Sequence, residues 1–201
     1  MNRQGAKNAK TEIVIATTNR GKFHELRHGL KELNLPLLSL QEFPEVEEAP
    51  EVGADFDEIA RNKARFYFER LHLPVLAEDS GLVIPSLNGF PGIFSARIAP
   101  TDSERIQIIL EKLQGRTDRS AFYYCGMVFL DSKGMMEAKG RCDGHIIETP
   151  RGSLGFGYDP IFCPETTGKT FGEMNLEEKA YYSHRGRALR HLLPQLRNWI
   201  P

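Results

Sequence analysis

Glu78 and Asp79 stand side by side where a short apolar run, Leu73-Pro74-Val75-Leu76-Ala77, gives way to Ser80-Gly81. The run reads as a buried strand and the glycine as a turn. The acidic pair is therefore expected at a strand end, where α/β sheets collect ligands. Successive side chains on an extended backbone point opposite ways, so only one of the pair faces a given pocket. We assign Asp79 to the pocket and Glu78 to its support. Carboxylates so placed accept protons or hold a divalent cation. The plain alternative is an acidic turn that closes a strand.

Cations and stacking groups lie at other strand and helix ends. Glu12–Thr17 is a β-branched run followed by Thr17-Thr18-Asn19-Arg20-Gly21-Lys22, after which Phe23, Leu26, Leu30 and Leu33 recur at helical spacing. Strand, polar turn and helix leave free backbone N–H groups at a helix start, with Thr18 or Asn19 as the cap. Such a terminus attracts anions, and Arg20 and Lys22 add charge. It is not a Walker loop, since G-x-x-x-x-G-K is absent. Asp55 and Glu58 form a capping-box pattern ahead of an apolar stripe, Phe56, Ile59, Ala60, Ala64, Tyr67, Phe68 and Leu71, and Lys63 falls on that stripe. A lysine there must reach solvent or meet an anion. The latter points it at a carboxylate or a phosphate beside Asp79.

The acidic segment Pro44–Gly53 holds Glu45, Glu47, Glu48 and Glu51 and reads as a surface loop from which one carboxylate can act as a metal ligand. Gly152-Ser153-Leu154-Gly155-Phe156-Gly157-Tyr158-Asp159-Pro160 sets a Phe among glycines, a loop that suits close backbone approach and stacking on a flat base. Ser183 caps a last helix with stripe Leu189, Leu192, Leu193, Leu196 and Ile200. That places His184 and Arg185 at the end least favourable to cations, which hints at acceptors nearby. By chemistry the candidates are carboxylates (Glu51, Glu78, Asp79), phosphate cations (Lys22, Lys63, Lys179, and Arg20 after them) and a base-reading set (Phe156, Asp159, His184, Arg185). Carboxylates with Mg²⁺ and lysines are the equipment for cleaving a phosphoanhydride.

The elements that must carry these groups form a mixed sheet. Leu37–Leu40 reads as a second strand, Leu82-Val83-Ile84 as extended, and Asn88–Gly92 as a tight turn before Phe94-Ser95-Ala96-Arg97. Asp102 or Ser103 is expected to cap a helix with apolar positions Ile106, Ile109, Leu110 and Leu113. Ala121–Leu130 and Met135–Ile147 make an antiparallel hairpin about Asp131-Ser132-Lys133-Gly134, read as framework. The chain has 201 residues and a net charge of −1, which suits one large domain or two lobes and offers no general field for polymeric nucleic acid. Cys125, Cys142 and Cys163 lack paired spacing and read as reduced thiols. Residues 1–11 are polar with no secretory core and are expected to be a disordered extension. No apolar run approaches membrane-spanning length. We expect a soluble, cytoplasmic protein.

Taken in order, the blocks Thr17-Thr18-Asn19-Arg20-Gly21-Lys22, Phe56-x-Glu58 with Lys63-Ala64, Glu78-Asp79-Ser80-Gly81-Leu82, Pro91-Gly92-x-x-Ser95-Ala96-Arg97, Phe156-Gly157-Tyr158-Asp159-Pro160 and Ser183-His184-Arg185 resemble the inosine triphosphate pyrophosphatase family, also called Ham1-like. The resemblance runs from about residue 12 to the C-terminus. It implies a two-lobed α/β fold over 12–201, a long mixed sheet flanked by helices, the site in the cleft, and a homodimer. It further implies Mg²⁺-dependent hydrolysis of dITP, ITP and XTP to the monophosphate and pyrophosphate. On the matching positions Asp79 is the general base or holds the activating metal, and Glu51 is the loop ligand, with Glu48 as the alternative. Thr17 to Lys22 and Lys63 wrap the triphosphate, Ser80 contacts substrate, and Phe156, Gly157, Tyr158, Asp159, Lys179, His184 and Arg185 hold the purine. A 6-oxo purine offers an acceptor where adenine offers a donor, so a donor such as Arg185 favours the first. The chain departs from the family at Ile59, where many relatives have Asn, and at Glu78, where bacterial relatives often have Asp. The rival readings are a Maf-like nucleotide pyrophosphatase and a non-catalytic nucleotide sensor.

Overall fold

The structure, a computed structural model, describes residues 12–200; the expected disordered extension 1–11 lies outside them. Among the described residues six strands, β1 (Ile13–Ala16), β2 (Leu37–Ser39), β3 (Val75–Val83), β4 (Ser120–Asp131), β5 (Gly134–Ile146) and β6 (Phe162–Pro164), form one sheet in the order β2-β1-β3-β4-β5-β6. β1 runs parallel to β2 and β3, and all later pairings are antiparallel, so the sheet is mixed as expected. The helices are α1 (Arg20–Gly29), α2 (Phe56–Leu71), α3 (Asp102–Lys112), α4 (Leu176–Tyr182) and α5 (His184–Trp199). Among the described residues no helix is long and apolar enough to cross a membrane.

Alternation along the strands assigns the layers. Ile13, Ile15 and Leu76 point to the face covered by α1 and α5, where they pack with Leu26, Leu30, Leu189, Leu192 and Leu196. Val14, Ala16, Val75 and Ala77 point to the opposite face and meet Ala60, Ala64 and Tyr67 of α2. A third cluster fills the far ends of β3–β5: Leu82, Tyr123 and Ile146 meet Ile109 of α3, Phe162 of β6 and Phe171. The described residues thus pack on both faces of one end of the sheet and around the far ends of its long strands.

Three local expectations are corrected. Gly81 does not turn the chain: β3 continues to Val83, paired residue by residue with β4. Its missing side chain serves packing instead, because a Cβ there would collide with Ser95 Oγ and the Gly92 carbonyl. The cap of α3 is Thr101, one residue earlier than expected, where Thr101 and Glu104 satisfy each other's backbone N–H groups. At α2, Asp55 accepts the Glu58 N–H as expected, but the Glu58 carboxylate accepts from Ala54 N.

Candidate active site

The acidic pair sits in the middle of β3, so strand alternation sends its members to opposite layers. Glu78 and Ser80 face α1 and α5, whereas Asp79 faces α2. Glu78 Oε1 receives Arg185 Nη2 at 3.0 Å and Lys22 Nζ at 3.3 Å, and the Cys125 thiol donates to its other oxygen. Burial opposes ionisation of Glu78, but Arg185 and Lys22 outweigh it and hold the carboxyl well below the usual range. Glu78 thus faces the opposite layer from Asp79 and Glu51 and is engaged there by Arg185 and Lys22.

Asp79 and Glu51 do converge. Lys63 Nζ lies 3.3 Å from Asp79 Oδ1 and 2.7 Å from Glu51 Oε1, and Arg97 meets the other Glu51 oxygen at 3.2 Å. Lys63 reaches them because it lies on the buried stripe of α2. Burial lowers its affinity for a proton, yet Asp79 and Glu51 more than restore it, and the ammonium stays charged. Burial raises the Asp79 carboxyl above its usual value, with Lys22 and Lys63 pulling the other way. The loop bearing Glu51 is held by Asn62 Nδ2, which donates to Val52 O at 2.9 Å, and by Ala54 N on Glu58. Ile59 is fully buried against Gly53. Glu48 accepts from Thr18 Oγ1 at 2.9 Å.

A second chain of alternating charge runs from Lys22 through Glu78, Arg185, Glu25 and Lys179 to Asp159. Ser183 accepts the Gly186 N–H and starts α5, which aims Arg185 at β3. Lys179, 4% exposed, lies over the Phe156 ring at 4.6 Å. The His184 ring stacks on Tyr123 at 4.5 Å and is buried. Burial first, and Arg185 after it, lower its pKa well below the usual value, so the imidazole is neutral. Its Nδ1 is buried without a hydrogen-bond partner. An orphan of this kind is costly unless a ligand satisfies it.

Two cavities join here. One, of about 110 Å³, is bounded by Asp79, Ser80, Tyr123, Phe156, Gly157, Tyr158, Asp159, Lys179, His184 and Arg185. The other, of about 620 Å³, is bounded by Thr17, Thr18, Asn19, Lys63, Glu48 and Arg97. Asn19, Lys22 and Glu51 line both, so they form one groove with Asp79 at the join. At the wider end Asn19 caps α1 by accepting Lys22 N at 3.0 Å, and Thr17 Oγ1 accepts Asn19 N. Two predicted residues stand apart. Arg20 is exposed at the start of α1 and lines neither cavity; Gly21 lies beneath Phe156, whose ring occupies the space of a Cβ. Tyr158 turns its hydroxyl away to Ser95 O.

Sequence reading missed Glu25, Arg97, Asp102, Arg105 and Tyr123. Arg97 lay within a quoted block, and Tyr123 shares strand parity with Cys125. Glu25 follows Lys22 at helical i,i+3 spacing, which gave no sign of an inward aim. For a cation, the donor chemistry fits. Mg²⁺ is held by one or two carboxylates with substrate phosphates and water, and Asp79 and Glu51 already meet at one positive centre. Among the described residues no cluster of three or more acidic, His or Cys side chains is present.

Residues 13–195 match the model of the Ham1 family. The dITP/XTP pyrophosphatase of Desulfotalea psychrophila is 43% identical over 195 residues, covering 94% of this chain and 87% of that protein. The one from Prochlorococcus marinus is 44% identical and covers 93% of each. Among solved structures, a HAM1 protein from Coxiella burnetii superposes with a TM-score of 0.84 at 39% identity, over 94% of this chain and 99% of that one.

Proposed function

The chain belongs to the Ham1 family, and from that premise we propose that it hydrolyses dITP, ITP, XTP and dXTP to the monophosphate and pyrophosphate, clearing non-standard purines from the nucleotide pool before they enter DNA or RNA. The observation that carries this reading is the continuous groove: phosphate-type donors at its wide end, a flat slot with an orphan imidazole nitrogen at its narrow end, and Asp79 between.

In this reading the base enters beside Phe156, with Lys179, His184 and Arg185 around its 6-oxo edge. Four of the five Arg185 N–H groups are engaged by Glu78, Glu25 and Ser80, so one remains for the purine. Adenine would set its amine against the Lys179 and Arg185 donors. Lys22, Lys63, Thr17, Thr18 and Asn19 take the triphosphate. Water attacks the α-phosphorus, Asp79 accepts its proton, the bond from that phosphorus to the bridging oxygen breaks, and pyrophosphate leaves. Asp79 and Glu51 would hold Mg²⁺, which supplies charge neutralisation and a more acidic water. Residues 12–201 act as one two-lobed domain, in a cytoplasmic homodimer, without nucleic-acid or membrane partners.

The test is to incubate the protein with Mg²⁺ and either ITP or ATP and identify the product. Pyrophosphate from ITP with little from ATP supports the proposal. Orthophosphate indicates another hydrolase, preference for a modified pyrimidine nucleotide the Maf-like reading, and binding without turnover a sensor.

A further inference from the structure

Because Thr101 caps α3, the carboxylate of Asp102 is free of the duty that its place at a helix start suggests. It reaches the glycine-rich loop instead. Asp102 Oδ2 accepts the Gly157 N–H at 2.7 Å, while Oδ1 receives Arg105 Nη1 at 2.7 Å. Arg105 is braced in turn, its Nε donating to Ala99 O at 2.8 Å and its Nη2 to Pro100 O at 2.9 Å. Both side chains border the narrow cavity.

The turn so held has little stiffness of its own. Gly155 and Gly157 adopt φ of 77° and 63°, a region that glycine enters freely and leaves as freely. Two consecutive amides are fixed by carboxylates: Phe156 N by Asp159 at 2.7 Å, from within the turn, and Gly157 N by Asp102, from α3. Successive N–H groups in a turn make an anion-binding concavity, here filled by the protein. The Phe156 ring rests on Gly21 of α1.

We propose that Asp102 is a positioning residue for purine selection, a strut from α3 that fixes the Phe156–Gly157 turn and with it the width of the slot. The inference rests on the groove being a purine nucleotide site. A fixed slot holds the base edge at hydrogen-bonding distance from the Lys179, His184 and Arg185 side, where a mismatched amine is penalised. A loosened turn lets the base slide and relieves that penalty.

The experiment compares Asp102→Ala, Asp102→Asn and Thr101→Ala by amide hydrogen exchange over 153–159 in the free protein, and by kinetics on ITP and ATP. Asp102→Ala is expected to speed exchange at Gly157 and raise KM for ITP about tenfold, the loss of one charge-assisted hydrogen bond. It should move kcat far less and narrow the ITP-to-ATP ratio of kcat/KM. Asp102→Asn keeps one acceptor for Gly157 N but turns its NH2 toward Arg105 and lacks the charge, so it should recover part of both effects. Thr101→Ala weakens the cap of α3 without touching the strut and should leave both unchanged. Native exchange at Gly157 in Asp102→Ala, an unaltered ITP-to-ATP ratio, or the same changes in Thr101→Ala would each overturn the proposal. If the unaltered protein releases no pyrophosphate from ITP, the functional reading fails. The exchange comparison needs no substrate and still decides the strut.

Discussion

Glu78 and Asp79 are neighbours in sequence with opposite electrostatic surroundings. Arg185 and Lys22 keep Glu78 ionised despite its burial, whereas burial dominates at Asp79 and raises its proton affinity. Surroundings that drive two carboxyls apart separate a framework anion from a proton acceptor. On the proposed mechanism Asp79→Asn keeps the shape and removes the proton acceptor, so pyrophosphate release should fall by a factor of about a hundred to ten thousand while nucleotide binding persists. Calorimetric titration beside the activity assay checks this, and full turnover would remove Asp79 from the chemistry. His184 sets a pH signature in stability. Its folded pKa is depressed, first by burial and then by Arg185, so the unfolded chain binds a proton that the native chain does not. Its contribution is complete above the unfolded pKa of about 6.5 and is lost progressively as pH falls below that, by at most about 1.4 kcal/mol per pH unit. Denaturant melts from pH 7 to 5 should therefore show a shallower decline for His184→Gln than for the unaltered chain, and parallel declines would refute this.

At the scale of elements, α2 matters most because it brings Lys63 to Asp79 and holds the Glu51 loop. Its start sits directly on β4 at Gly126, the residue opposite Asp79 in the sheet. A Cβ at Gly126 would lie 3.0 Å from Asp57 Cα and 3.1 Å from its N. Tyr124 and Lys139 clasp the Asp57 carboxylate from β4 and β5. Gly126→Ala should push α2 off the sheet, cost about 1–3 kcal/mol, and raise KM for the metal–nucleotide complex. Melts and kinetics together check it; a native KM would mean that α2 does not set the position of Lys63. The same view bears on Arg185. Truncating it removes the partner that Glu78 and Glu25 share and leaves each with one lysine, Lys22 and Lys179, so a change of selectivity in Arg185→Ala would be entangled with lost stability.

Over the whole molecule, charge is balanced globally and within the groove. The chain carries a net −1, and Lys22, Lys63, Lys179 and Arg185 each have an acidic partner. On the proposed function such a groove takes a compact polyanion together with a divalent cation, and a near-neutral chain favours that over a long polymer. Duplex DNA should therefore fail to compete with ITP at about 0.15 M salt, where screening confines surface fields to about 8 Å. Inhibition by DNA at that ionic strength would contradict this account of the groove.

Local pattern made much of this legible. β-branched runs placed β1 and the long hairpin, the Lys63 stripe placed α2, and the Ser183 cap placed His184 and Arg185 at the start of α5, because short-range sterics and capping act within a few residues. The one-in, one-out geometry of Glu78 and Asp79 was equally readable, since it follows from strand alternation alone. What lay beyond reach was set by contacts distant along the chain. Gly81 looked like a turn because only the pairing with β4 keeps it in the strand, where Ser95 and Gly92 leave no room for a side chain. Asp102 looked like a cap because only the fold brings Gly157 to its oxygen. Glu25 had no distinguishing mark until α5 and α4 delivered Arg185 and Lys179 to it. Residue types and periodicity determined which chemistry the chain carries. The packing of helices on a twisted sheet decided which charges meet, because burial and pairing energies depend on distances that no local pattern encodes.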